Sequence, residues 1–151
     1  MKSVIGIVSI VFIMSFLAVQ VNAQDKVTNY VKQENAIKKH NDRMFEHAKI
    51  MQKEAHNSDD LFNRKSYLKR ARKIKSHATK AKTYAMKLQE EENSVKNSET
   101  RFNEIIEHYD RILQEEFQIE KELDMPASDR HKLDSHLSAI IDELKELKKK
   151  I

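Results

Sequence analysis

The chain has 151 residues, 34% of them charged, and a formal net charge of +4. It has no cysteine, one glycine (Gly6) and one proline (Pro126). Those scarcities exclude disulfide frameworks, thiolate metal sites and glycine-rich phosphate loops, and they leave helix as the conformation that needs none of them.

The first 23 residues read as an address. Met1-Lys2-Ser3 is a short basic start, and Val4 to Val19 is apolar except for Gly6, Ser9 and Ser15. Val21 and Ala23 then stand at the −3 and −1 positions of a signal-peptidase site, before the polar Gln24-Asp25-Lys26. Residues 1–23 are predicted to be a signal peptide, cleaved after Ala23, which makes the mature protein secreted or periplasmic. The alternative is an uncleaved anchor, but the apolar run falls short of the roughly 20 residues a span needs. Without cysteine there is no lipoprotein anchor. Asn57, Asn93 and Asn97 are each followed directly by Ser, one position too early for N-glycosylation, so bacterial and eukaryotic origins are both compatible.

Of the 128 residues that follow, 60 are Ala, Glu, Lys, Leu or Arg, the profile of long helices and coiled coils. The mature net charge of +3 is mild, and this length suits one domain. Tyr30, Ile37, Met44 and Met51 form a seven-residue column, with Ala48 and Ala55 on the same face, so the spacing predicts a helix over about 26–56. Ser58-Asp59-Asp60 then reads as a cap followed by acids at the positive end of a new helix.

A second stripe begins in a new phase. Tyr67, Ile74, Ala81, Leu88, Val95, Phe102, Tyr109 and Leu123 share one column, in which only Glu116 is out of character. Ala71, Ala78, Ala85, Ile106 and Leu113 fill a companion column four residues on, broken by Glu92 and Glu99. The Asn/Ser cluster at 93–98 has loop composition, yet the main column does not slip across it. The unbroken phase favours a single helix over about 60–124, on the order of 95 Å long; a turn at 93–98 is the alternative. Pro126 ends this segment. Ser128 as cap and Asp129 as first-turn acid open the last helix, over about 128–150. Its stripe is Leu133, Leu137, Ile140, Leu144, Leu147 and Ile151, with basic residues at its negative end.

The expected fold class is therefore all-α, an elongated, coiled-coil-like helical bundle. It is either a long central helix with flanking helices folded back or an up-and-down four-helix bundle. The rod would leave an apolar face uncovered at each end and would require a homo-oligomer.

Charge is blocked along the chain. Leu61 to Gln89 holds ten basic residues and no acid; Glu90 to Asp124 holds twelve acids and four bases. The plain reading pairs one block with the other, within a hairpin or between antiparallel copies. The sharper reading is a surface for a polyanion, with Lys69, Arg72, Lys73 and Lys80 as the contact residues. The alanine-rich face beside them suits close helix packing better than insertion into lipid.

His40, Met44, His47 and Met51 recur at helical spacing and are the candidate metal ligands, for copper or zinc. Met44 and Met51 also fall on the core column, where a thioether is a filler. No second cluster of comparable quality completes a four-ligand site, and no cofactor is predicted. The serines occupy caps or helix surfaces, and no histidine has a glutamate three residues before it, as a di-iron bundle needs. The expected function is that of an exported, non-enzymatic helical interaction protein, a scaffold, adaptor or chaperone-like module that binds a protein partner, further copies of itself as a homo-oligomer, or an acidic macromolecule, with metal handling as the alternative. An exported protein with so mild a net charge is not expected to have nucleic acid as its partner.

Overall fold

A computed structural model describes residues 4–56, 63–93 and 101–151, with side chains described from residue 24 onward. Four helices follow in order: α1 (Val4–His56), α2 (Arg64–Asn93), α3 (Arg101–Asp124) and α4 (Arg130–Lys150). The chain divides into two units, Met1–Gln33 and Glu34–Ile151. In the first, residues 24–29 are exposed and the Thr28 hydroxyl donates to the Gln24 carbonyl at 2.8 Å. Among the described residues no helix is long and apolar enough to cross a membrane. The predicted signal segment has no described side chains.

Glu34–Ile151 is an all-α, up-and-down four-helix bundle, and its direction is read from the cross-helix bonds. α1 and α2 are antiparallel: the Tyr67 hydroxyl donates to the Met51 carbonyl at 2.6 Å, while His40 meets His77. α2 and α3 are antiparallel through Lys75–Glu120, Lys82–Asp110 and Gln89–Asn103. α3 and α4 are antiparallel through His136–Glu115, Arg111–Glu143 and Lys150–Glu104. α1 closes the ring against α4, where the Gln52 amide donates to the Ser138 hydroxyl at 3.1 Å. It runs parallel to α3, whose Tyr109 hydroxyl donates to Asn41 Oδ1 at 2.7 Å.

This corrects the expectation of one helix over 60–124. Residues 94–98 lie outside the described residues, but the chain reverses between α2 and α3. The unbroken column misled because Leu88 and Phe102 are two heptads apart, and that spacing is the same whether the chain runs on or turns back. The companion column does change. In α2 the buried residues are Tyr67, Ala71, Ile74, Ala78, Ala81, Ala85 and Leu88. In α3 they are Phe102, Ile105, His108, Tyr109, Ile112, Glu116, Ile119, Glu122 and Leu123. The second column thus moves from four residues after the first to three: Ile105, Ile112 and Ile119 are buried, whereas Ile106 and Leu113 are only half-buried. Each antiparallel helix turns its own second column to the axis. The apolar stripes of Glu34–Ile151 cover one another within one chain, so the rod that required a second copy is absent.

The ends are set by local caps. The Asn63 side chain accepts from the Ser66 N–H at 3.0 Å, and its carbonyl accepts from the Tyr67 N–H at the same distance, so Asn63 caps α2. The predicted start at Ser58-Asp59-Asp60 lies outside the described residues. At α4 the cap is Asp129, not Ser128. Its side chain accepts from the His131 N–H (2.9 Å) and the Lys132 N–H (3.4 Å), and its own N–H donates to Glu122 Oε1 at 2.7 Å. Glu122 thereby ties the end of α3 to the start of α4 across Pro126. Asp129→Ala is expected to lower stability by about 1 kcal/mol, read as a fall in the thermal midpoint of a few degrees. An unchanged midpoint would remove the cap from the account.

Candidate functional site

α2 carries the basic block, and packing divides it by flank. On the α3 side, Lys75 Nζ lies 2.8 Å from Glu120 and 3.4 Å from Glu116, Arg72 Nε lies 3.6 Å from Glu120, and Lys82 pairs with Asp110. The basic and acidic blocks are therefore partners within one hairpin, as the plain reading of the charges expected. On the α1 side Arg70 Nε lies 3.6 Å from Glu54. Arg64, Lys65, Lys69, Lys73 and Lys80 remain on the exposed face of α2 and make no ion pair among the described residues. Of the four predicted contact residues, Lys69, Lys73 and Lys80 belong to this unpaired row, and Arg72 is exposed but shared with Glu120.

The row has a definite pitch. Lys65, Lys69 and Lys73 are four residues apart, about 6 Å along the axis, and Lys80 extends the row to roughly 22 Å. No acid occurs on α2 before Glu90, so no exposed carboxylate of this helix offsets the row.

Beside it runs a seam of histidines between α1 and α2. His40 Nδ1 and His77 Nδ1 are 2.9 Å apart, so one nitrogen donates and the other accepts. Their ring centroids are 5.1 Å apart, and His77 lies 6.1 Å from His47 on its other side. Tyr84 stacks on His40 at 6.0 Å. His47 Nδ1 is buried without a hydrogen-bond partner. Burial above all holds the three imidazoles below the ordinary 6.5, and neighbouring groups add to it: His77, then Lys80 and Lys39, act on His40; Lys73 and Arg70, opposed by Glu46, on His47; and Lys80, Arg43 and Lys73 on His77.

The predicted metal set is divided by this packing. Met44 and Met51 are fully buried core residues beside Ile37 and Ala48, whereas His40 and His47 are half-buried on the flank that meets α2. The shared helical face is split because the thioethers are core fillers and the imidazoles edge the seam. Among the described residues, no group of three or more His, Cys, Asp or Glu is placed to hold a metal ion.

Two groups are informative to which the sequence reading gave no role. His77 sits in the basic block with no histidine near it in sequence. Counting outward from the junction where the first stripe ends and the second begins would have set it opposite the 40–47 stretch. Glu116 was visible as the misfit of its column, and the column is what buries it: its exposure is 0%, and neither carboxyl oxygen has a hydrogen-bond partner. Burial, and then the neighbouring Glu120 carboxylate, raises its pKa from 4.5 to about 7, opposed by Lys75.

Across α3 and α4, His108 Nδ1 meets Glu143, which also accepts from Arg111 Nε at 2.9 Å; His136 Nδ1 lies 2.6 Å from Glu115. Neither arrangement has a nucleophile among its members, and both fasten the helix pair. Comparison with protein-family models, curated proteins and solved structures finds no match.

Proposed function

We propose that the chain is an exported, non-catalytic helical binding module, and that the exposed cationic row of α2 takes a linear acidic polysaccharide. The observation that carries this reading is what the α2–α3 pairing leaves over. Arg72, Lys75 and Lys82 are occupied by Glu120, Glu116 and Asp110, while Lys65, Lys69, Lys73 and Lys80 stand unpaired in one line. Cations that merely held the hairpin together would lie on its seam. A line about 22 Å long fits an extended polymer better than a point ligand. The alanine-rich core face of α2 is turned inward, and among the described residues Met86 is the one large apolar residue that α2 exposes, too little to anchor the helix in lipid.

Heparin is the probe. Binding through about four such contacts is expected to weaken roughly 10- to 100-fold between 50 and 200 mM salt. The combined variant Lys69→Glu, Lys73→Glu, Lys80→Glu is expected to lose retention on heparin while keeping its helical circular dichroism. Retention that is indifferent to salt, or unchanged in the folded variant, sinks the reading. A salt-sensitive dimer abolished by the same substitutions would assign the row to self-association instead. Tighter binding to duplex DNA than to heparin would assign it to nucleic acid.

A further inference from the structure

The histidine seam lies against the cationic row and shares Lys73 and Lys80 with it, yet nothing in the pairing of α2 with α3 requires it. We propose that His40, His47 and His77, rimmed by Lys39, Arg43, Lys73 and Lys80, form a proton-linked anion site, which takes a sulfate group of the acidic polysaccharide and holds it more tightly as pH falls. The proposal rests on the reading of the α2 face given above and adds a site and a regulation to it.

The geometry is a row of three imidazoles from two helices, with His77 between the two histidines of α1. The 2.9 Å contact of His40 Nδ1 with His77 Nδ1 holds a single proton. A second proton sets two N–H groups head to head, and that arrangement is relieved by an acceptor shared between them. His47 Nδ1 already lacks a partner. An oxyanion supplies acceptors to protonated imidazoles, which a cation cannot do.

The charges around the seam decide between a metal and an anion. From α1 the groups acting on it are Lys39, Arg43 and Glu46; from α2 they are Arg70, Lys73 and Lys80. None comes from α3 or α4. Glu46, the one acid, is bound to Arg43 at 3.2 Å. A divalent cation would enter a field of positive charge, whereas a sulfate is attracted by it.

Linkage then follows. Burial first, and then the same cations that attract the anion, hold the imidazoles below their ordinary pKa, so an anion that offsets those cations favours proton uptake. By reciprocity, protons favour the anion by the same factor. Between pH 7.5 and 5.5 the affinity for a heparin oligosaccharide at fixed ionic strength is expected to rise about tenfold.

The test is isothermal titration of the full chain with a heparin octasaccharide at both pH values, each in two buffers of different ionisation heat. Proton uptake on binding and the rise in affinity are the expected results. The variant His40→Gln, His47→Gln, His77→Gln is expected to lose the rise, which separates these histidines from His56, His108, His131 and His136. A variant that does not fold leaves the decisive readout to the unsubstituted protein. There, histidine NMR titrations are expected to show the three imidazoles titrating at higher pH with the oligosaccharide bound. Salt-sensitive binding that is equal at both pH values, or imidazole titrations that the oligosaccharide does not move, overturns the proton link and leaves the α2 reading standing. Absence of binding at either pH overturns both.

Discussion

Replacing Glu116 by leucine is expected to stabilise the protein at pH 8, by about 2–3 kcal/mol, and to do so much less at pH 5. Glu116 is fully buried and its carboxyl oxygens have no hydrogen-bond partner; the nearest cation, Lys75 Nζ, is 3.4 Å away and also holds Glu120. Its pKa rises from 4.5 to about 7 in the fold. For a group whose folded pKa is raised, the stability it permits is fully present below the unfolded value and is lost as pH rises through the folded one. The window is therefore about pH 4.5 to 7, and the shift corresponds to roughly 3 kcal/mol across it. Leucine removes the buried charge, continues the apolar column of Phe102, Tyr109 and Leu123, and leaves Lys75 its bond to Glu120. Glu116→Gln separates the causes: it removes the titration but keeps a buried polar group, so it should flatten the pH profile with a smaller gain. Thermal unfolding of the three proteins from pH 5 to 8.5 is the measurement. A difference between wild type and Glu116→Leu that is constant across this range would show that the carboxyl does not titrate in the fold as argued.

Replacing Ala78 and Ala81 together by leucine is expected to lower stability by about 2–6 kcal/mol, at roughly 1–3 kcal/mol for each overpacked site. Four of the seven buried residues of α2 are alanines, at 71, 78, 81 and 85, and each has 0% exposure. Small side chains let helix axes approach toward the low end of the range of about 8–10 Å. A leucine at such a site must displace a neighbouring helix or leave its rotamer. The same substitution at exposed Thr79 or Thr83 is the control, since leucine is the better helix former there. Equal midpoints for the buried and exposed double variants would mean that α2 does not sit as close to its neighbours as these burials imply. The effect should fall on stability alone, because the cationic row lies on the opposite face of the helix.

Much of this molecule was legible along the chain. Of the stripe Leu133, Leu137, Ile140, Leu144, Leu147 and Ile151, all but the half-buried Ile151 are buried as spaced, with Ile141 added. Ile37, Met44, Ala48 and Met51 are core, and α1 ends at His56 where its stripe stopped. These readings succeeded because helical burial recurs with a local period that neighbours in sequence reveal. The cap of α4 was misplaced by one residue, since Ser128 and Asp129 are both competent and only backbone geometry chooses between them. The site was legible only in part. Lys69, Lys73 and Lys80 stood out as charge, but which basic residues are free depends on which ones α3 occupies.

The sequence by itself determined an all-α fold: with no cysteine and one glycine, alternating apolar stripes leave no other way to bury them. It also set a basic stretch before an acidic one, and the plain reading of that order is that they face each other. Only the tertiary structure decided that they do so within one hairpin, because a heptad column keeps its phase equally well through a straight helix and across a turn. Only that reversal, and the antiparallel packing of α1 and α2, brings His77 between His40 and His47 and leaves one face of α2 with its charges unpaired. Contacts between residues 37 and 86 positions apart are set by where the chain turns, and a periodic pattern carries no record of that.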